Sequence, residues 1–108
     1  MPQVVGIIGA GTMGSGIAQV CLAAGKQVQL SDAEPAALAA AHHRITSGLD
    51  RFVAKGHVTA EQREAALAAL LLVDGLAAAA DGVDVVIEAA AEDLEIKQGI
   101  FAELDALS

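Results

Sequence analysis

A glycine cluster set between an apolar pentapeptide and a helix-forming run constrains this chain more than any other feature. Val4–Ile8 reads as a strand, Gly9-Ala10-Gly11-Thr12-Met13-Gly14 as a tight turn, and Ser15–Ala24 as a helix. A G-x-G-x-x-G string alone is common by chance; placed between a strand and a helix it points to a dinucleotide site. Gly9 permits the sharp turn out of the strand, and Gly11 lets the main chain approach a diphosphate with no Cβ in the way. Gly14, helped by the small Ala18 one turn later, lets the helix pack close against the preceding strand. The first-turn N–H groups of that helix lack intrahelical partners and carry the positive end of its dipole. An anionic diphosphate satisfies both. The plainer reading is an ordinary glycine turn.

The second half of such a fingerprint follows at the right distance. Gly25 ends the helix as a C′ residue, and Gln27-Val28-Gln29-Leu30 alternates polar and apolar residues as a short strand does. That strand runs into Ser31-Asp32. An acidic residue roughly 20 positions after the glycines accepts hydrogen bonds from the adenosine ribose hydroxyls. It also repels a 2′-phosphate, and no Arg or Lys follows to neutralise one, so NAD is favoured over NADP. The alternative role for Asp32 is to cap the next helix, which an Asp before Glu-Pro can do.

Composition sets limits around this reading. The 108 residues make one domain, 1–108, large enough to bury a core. Apolar residues are 55% of the chain and aromatics 2%, so the core is built from Ala, Val, Leu and Ile, which suits close-packed parallel strands and helices. No apolar run approaches the roughly 20 residues of a membrane span, and Val4–Ile8 is a strand, not a signal peptide. A formal charge of −8 argues against nucleic-acid and anionic-membrane partners. The cytoplasm is the default compartment. The single cysteine, Cys21, excludes an internal disulfide and reads as a small core or boundary residue.

The remaining sequence continues to alternate strand and helix. Pro35 falls in the first turn of a second helix, whose apolar stripe runs Leu38, His42, Ile45, Leu49, Phe52 and which Gly56 ends. Thr59 and Gln62 form a capping box for a helix reaching about Leu70. Leu71–Val73 is a short strand closed by an Asp74-Gly75 turn. Val83–Ile87 is a strand apolar on both faces, and a last helix runs from about Asp93 to Leu107. His42, His43 and His57 have no positioned partner that marks a catalytic base. No cluster of Cys, His or carboxylates has ligand spacing, so no metal site is expected.

Together these motifs resemble the opening of the 3-hydroxyacyl-CoA dehydrogenases, a family that includes the bacterial 3-hydroxybutyryl-CoA dehydrogenases. Val5-Gly6-Ile7-Ile8-Gly9-Ala10-Gly11-Thr12-Met13-Gly14-Ser15-Gly16-Ile17-Ala18-Gln19-Val20 carries the likeness. Leu49–Gly56 is similar to the family's helix end, and Val85-Val86-Ile87-Glu88-Ala89 to its strand after the nucleotide-binding loop. Glu92–Lys97 through Phe101–Leu104 is similar to its next helix. Thr12, Ser15 and Gly16 set the chain apart from sugar-acid and hydroxyisobutyrate relatives, and the likeness spans nearly all 108 residues.

The resemblance implies oxidation of the 3-hydroxyl of an L-3-hydroxyacyl-CoA, with hydride passed to NAD and a 3-ketoacyl-CoA left behind. It places Gly9, Ala10, Gly11, Thr12, Met13 and Gly14 around the pyrophosphate, Asp32 on the adenosine ribose, and Glu92 and Lys97 on the nicotinamide half. Lys97 suits that role as a point charge; Glu92 at a helix start also compensates a dipole. Lys55 matches a lysine that meets CoA, while the nearby position that often carries a serine contact is Gly48 here.

Family members continue past the position of Ser108 with an Asn-Thr-Ser strand, a histidine that takes the hydroxyl proton, a glutamate that orients it, and a helical dimerisation domain. On this reading the 108 residues hold no catalytic residue, bind NAD weakly, and turn over no substrate alone. The expected fold is α/β: a Rossmann-type, mostly parallel sheet of order 3-2-1-4, flanked by helices and truncated before the remaining strands. The outer edge of Val83–Ile87 then lies open, and copies are expected to self-associate through it or through uncovered helix faces. A dehydrogenase of the wider 3-hydroxy acid group, a non-catalytic NAD-sensing module and an interaction domain without nucleotide function are the other readings. The intact glycines and Asp32 argue against the last.

Overall fold

A strand buried on both faces needs helices above and below it, and the middle of Val4–Ile8 and most of Val85–Glu88 are buried in this way. The computed structural model describes residues 3–89 and 95–96. In chain order these form β1 (Val4–Ile8), α1 (Thr12–Ala23), β2 (Gln27–Ser31), α2 (Pro35–Ala54), α3 (Ala60–Ala68), β3 (Leu70–Val73), α4 (Leu76–Ala80), β4 (Val85–Glu88) and β5 (Glu95–Ile96). The sheet order is β3-β2-β1-β4-β5. The first four strands are parallel and in register, Ile7 lying between Leu30 and Ile87, and Leu30 beside Leu72. This is the expected 3-2-1-4 arrangement.

Right-handed crossovers carry α1, α2 and α3 over one face of the sheet. The return from β3 to β4 runs the other way and carries α4 to the opposite face. Accordingly α1 packs on α2 and α3, whereas α4 packs on β1 and β2. Ile7, Leu30, Ile45, Leu49, Val28 and Val83 are the largest wholly enclosed side chains; burying each contributes about 1.5–3 kcal/mol.

Local signals explain most boundaries. Gly25 follows α1 at φ +86°, and the Lys26 and Gly25 N–H groups donate to the Cys21 and Leu22 carbonyls, closing a Schellman end. The capping box of α3 is formed: Thr59 Oγ1 accepts from the Gln62 N–H at 3.0 Å, and Gln62 Oε1 from the Thr59 N–H at 2.8 Å. On α2 the inward stripe is Ala41, Ile45, Gly48 and Leu49, with Leu38 and Phe52 partly buried beside it. His42, expected on that stripe, is exposed. The small Ala41 takes the inward place, and the imidazole stays in water.

Three further departures have physical causes. The Leu-Ala-Ala-Ala-Ala run after the Asp74-Gly75 turn forms the short helix α4, where no element was expected. Regular pairing in β4 begins at Val85, with Val83 wholly buried just ahead of it. The helix expected from about Asp93 is replaced at Glu95–Ile96 by β5, antiparallel to β4, with Ile96 beside Ile87 and Glu95 beside Glu88. A strand edge with unpaired N–H and C=O groups recruits nearby backbone, and here that outweighs helical spacing. The edge expected to lie open is thus covered at Ile87 and Glu88. The rest of that expected helix lies outside the described residues.

Helix α4 sits where it does because of Gly6. A Cβ on Gly6 would run into the Ala79 carbonyl, so this glycine brings α4 onto β1. With its amide nitrogen turned toward α4, Gln29 of β2 donates to the Ala78 carbonyl at 2.8 Å and holds the end of that helix. Gly6→Ala is expected to destabilise the chain by about 1–3 kcal/mol, the cost of overpacking against backbone. Gly16→Ala, on the exposed side of α1 with nothing within 4 Å of the new methyl, should be neutral or stabilise by up to about 1 kcal/mol. Urea unfolding of the two variants tests both signs.

Candidate functional site

Open parallel sheets bind ligands at the carboxyl ends of their strands, next to the point where strand order reverses. Here that point lies between β1 and β4, and the glycine loop leaves β1 beside it. Gly9 has φ +108°, a conformation that L side chains rarely adopt. A Cβ on Gly14 would strike the Gly9 carbonyl, so the first turn of α1 is pressed onto the loop.

Above the loop the situation is the opposite. Gly11 is the N-cap of α1 at φ −73° and ψ −163°, with no side-chain cap, and a Cβ on it would meet nothing within 4 Å. Gly11, Thr12 and Met13 are exposed. The first-turn N–H groups, which have no intrahelical acceptor, therefore open onto free space. Donors, dipole and room are what a diphosphate needs, so these residues fit a dinucleotide.

The loop is fixed from the β2 side. The Gly9 N–H donates to the Ser31 carbonyl at 2.8 Å, and the Ala10 N–H donates to Asp32 Oδ2 at 2.7 Å. Asp32 Oδ1 accepts from the Glu34 N–H at 2.8 Å. The buried Ser15 hydroxyl donates back to the Ala10 carbonyl at 3.3 Å. The Ala10 and Glu34 N–H groups, in that order, hold the Asp32 carboxyl below its ordinary range; partial burial opposes them and loses. An ionised carboxylate offers about four lone-pair sites, so acceptor capacity remains for ribose hydroxyls. Helix capping is not the role that Asp32 takes: Glu34 occupies the N-cap of α2, without a side-chain bond.

Beside Asp32 lies a cleft of about 300 Å³ between the ends of β1, β2 and β3. Ile8, Ala33 and Leu76 give it apolar walls, and Asp74 joins Asp32 at its rim. Leu76 is 61% exposed, a large apolar side chain held open at the cleft mouth. Its size and lining suit a flat heterocycle beside a ribose. The sequence showed Asp74-Gly75 only as a turn. The signal lay in the strand order, which puts the loop after β3 beside the end of β2.

The other expected site residues fall apart from this centre. Lys55 is exposed at the C-cap of α2 and lines neither the loop nor the cleft. Gly48 is covered by the Gln19 side chain from α1, which leaves no room for a larger residue. Glu92 and Lys97 lie outside the described residues. Cys21 is half-buried, and burial pushes its thiol up against the weaker pull of Lys26, the reverse of an activated nucleophile. His57 packs edge-on against Phe52 with ring centres 5.8 Å apart. Among the described residues no three of His, Cys, Asp and Glu cluster as metal ligands, and no helix is long and apolar enough to cross a membrane.

A parallel sheet with a glycine loop at its reversal point and a carboxylate fixed beside that loop defines the class: a Rossmann-type dinucleotide-binding domain. The family model described as 3-hydroxyacyl-CoA dehydrogenase, NAD binding domain, matches residues 4–108, and the chain belongs to that family. It is 44% identical over 103 residues to a 3-hydroxybutyryl-CoA dehydrogenase of Mycobacterium tuberculosis, covering 95% of this chain and 36% of that protein. It is 45% identical over 102 residues to a 3-hydroxyadipyl-CoA dehydrogenase of Escherichia coli, covering 94% of this chain and 21% of that one. The solved (S)-3-hydroxybutyryl-CoA dehydrogenase of Ralstonia eutropha superposes with a TM-score of 0.76 at 38% identity, over 86% of this chain and 32% of that chain. The chain thus spans about a third or less of the length of these relatives.

Because the folded-state pKa of Asp32 is depressed, its contribution to stability is present above the unfolded value of about 3.9 and is lost as pH falls through the folded value. Asp32→Asn retains one acceptor and turns donors toward the Ala10 or Glu34 N–H. It is expected to lower the urea midpoint near neutral pH, with the gap to wild type closing as pH drops below about 4. A gap that is constant with pH would assign the effect to something other than the charge.

Proposed function

We propose that this chain is the NAD-holding part of an oxidoreductase that moves hydride between an L-3-hydroxyacyl-CoA and NAD. Bound NAD would supply the hydride-accepting nicotinamide. The observation that carries the reading is the Asp32 carboxylate fixed by the Ala10 N–H beside an open, uncapped helix start. In this assignment the N–H groups along Gly9–Gly14 hold the pyrophosphate, Asp32 accepts from the adenosine ribose, and the cleft of Ile8, Ala33 and Leu76 receives the adenine.

Glu92 and Lys97 are assigned to the nicotinamide half and Lys55 to the CoA portion, on the family likeness of their sequence. The 3-hydroxyacyl-CoA substrate is supported by the names of the relatives, which act on 3-hydroxybutyryl-CoA and 3-hydroxyadipyl-CoA. Proton transfer needs a base within hydrogen-bond reach of the substrate hydroxyl. That role is assigned to the part of such enzymes beyond the third that this chain matches.

Titration with NADH and NADPH, followed by nicotinamide fluorescence, tests the reading; the chain has no Trp or Tyr to add background. NADH is expected to bind saturably and at least about tenfold tighter than NADPH, because a 2′-phosphate would face the ionised Asp32. Asp32→Ala should weaken NADH by about tenfold or more, the loss of a charge-assisted acceptor. Equal affinity for the two nucleotides, or none for either, would refute the assignment.

A further inference from the structure

Helix α4 is too short to hold itself in place. Its five residues close a single turn, with the Ala79 N–H on the Gly75 carbonyl at 3.1 Å and Ala79 as the one buried residue. A first turn is the costly part of a helix, because several dihedrals are fixed for each hydrogen bond gained. Nothing at the start of α4 offsets this: its N-cap, Gly75 at φ +90°, has no side chain to bond the first-turn N–H groups. Yet α4 opens with Leu76, which walls the cleft beside Asp32 while standing 61% exposed. The place of that wall has to be fixed from elsewhere.

Strand β2 supplies the fixing point. Val28 and Leu30 pack into the core with Ala18, Ile45 and Leu49, so alternation turns Gln29 to the opposite face, where α4 lies. Its partner across the sheet on β1 is Gly6, which has no side chain to block the way. With its amide nitrogen turned toward α4, Gln29 donates to the carbonyls of Ala78 at 2.8 Å, Asp81 at 3.2 Å and Ala79 at 3.3 Å. Carbonyls at a helix end lack intrahelical partners, and this one amide gathers three of them. The Leu-Ala-Ala-Ala-Ala sequence of α4 has no polar side chain that could do the same. Gln29 thus grips the carbonyl end of a helix whose other end, roughly 6 Å away at 1.5 Å per residue, carries Leu76.

We propose that Gln29 is a positioning residue for the adenosine end of the dinucleotide: by holding the carbonyl end of α4 it sets the place of Leu76, against which the base packs. Gln29 does not line the cleft and acts through Leu76. The proposal rests on the dinucleotide assignment above and extends it to a residue outside the cleft. A wall already in place costs less on binding than one the ligand must order, so loss of the grip appears as loss of affinity. Because the effect passes through Leu76, it disappears when that side chain is removed. A general loss of stability has no such dependence.

NADH titrations of the wild-type chain, Gln29→Met, Leu76→Ala and the double variant, followed by nicotinamide fluorescence, test it. Each single variant is expected to weaken NADH about fivefold, the size of one net hydrogen bond or of part of an apolar contact. The double variant should stay near fivefold rather than reach about 25-fold, the product for independent sites. Gln29→Lys keeps a donor beside the carbonyls, where a cation complements the helix dipole, and should bind within about twofold of wild type. Amide hydrogen exchange without nucleotide gives a local readout: the Ala79 amide is expected to exchange faster in Gln29→Met, with the amides of α3 unchanged. A loss of about 25-fold in the double variant, unchanged affinity or unchanged Ala79 exchange in Gln29→Met, or no rescue by Gln29→Lys overturns the proposal. No NADH binding by the wild-type chain refutes the dinucleotide assignment and this proposal with it. Binding that Asp32→Ala weakens and Gln29→Met leaves intact refutes only the role given to Gln29.

Discussion

The hydrogen bond from the Ala10 N–H to the Asp32 carboxylate, 2.7 Å long, is the interaction on which the site depends. It joins the glycine loop after β1 to the end of β2 across 22 residues of sequence. With the Gly9 N–H bonded to the Ser31 carbonyl, the first two loop residues have their donors committed to the last residue of β2 and the one after it. The donors that follow, on the first turn of α1, are left for a ligand. One carboxylate thus orders the glycine loop, and in the proposed assignment it also accepts from the ribose. The two backbone bonds keep it ionised.

Glycines position the walls on both sides of the sheet. On one face Gly14 lets α1 press onto the Gly9 carbonyl; on the other Gly6 lets α4 reach β1. The second contact matters to the site although it lies away from it, since Leu76 at the start of α4 forms a wall of the cleft beside Asp32. Packing that looks purely structural is therefore connected to ligand geometry through a helix of five residues.

Much of this was legible in the residues. The Gly9–Gly14 cluster, the Thr59–Gln62 box and the Pro35 and Gly56 boundaries act through local backbone chemistry, which neighbouring residues suffice to specify. The strand order was legible through the fingerprint they resemble. What was hidden depends on tertiary contact. The alanine run of α4 has no amphipathic pattern to announce it, and Gly6 within an apolar strand gives no sign of the helix it admits. The exposure of His42 depends on a rotation of α2 by one residue, and the pairing of Glu95–Ile96 depends on the edge of β4.

The central claim is that an anionic dinucleotide sits on the uncapped start of α1 with its ribose at Asp32. Backbone amide shifts of the isotopically labelled chain, followed during addition of NADH, test it at residue resolution. The account predicts the largest changes at Gly11, Thr12 and Met13, with a second set at Asp32–Glu34 and Asp74–Leu76, and little change along α3. Shifts centred on α3 or spread evenly over the surface, with the glycine loop unmoved, would contradict it.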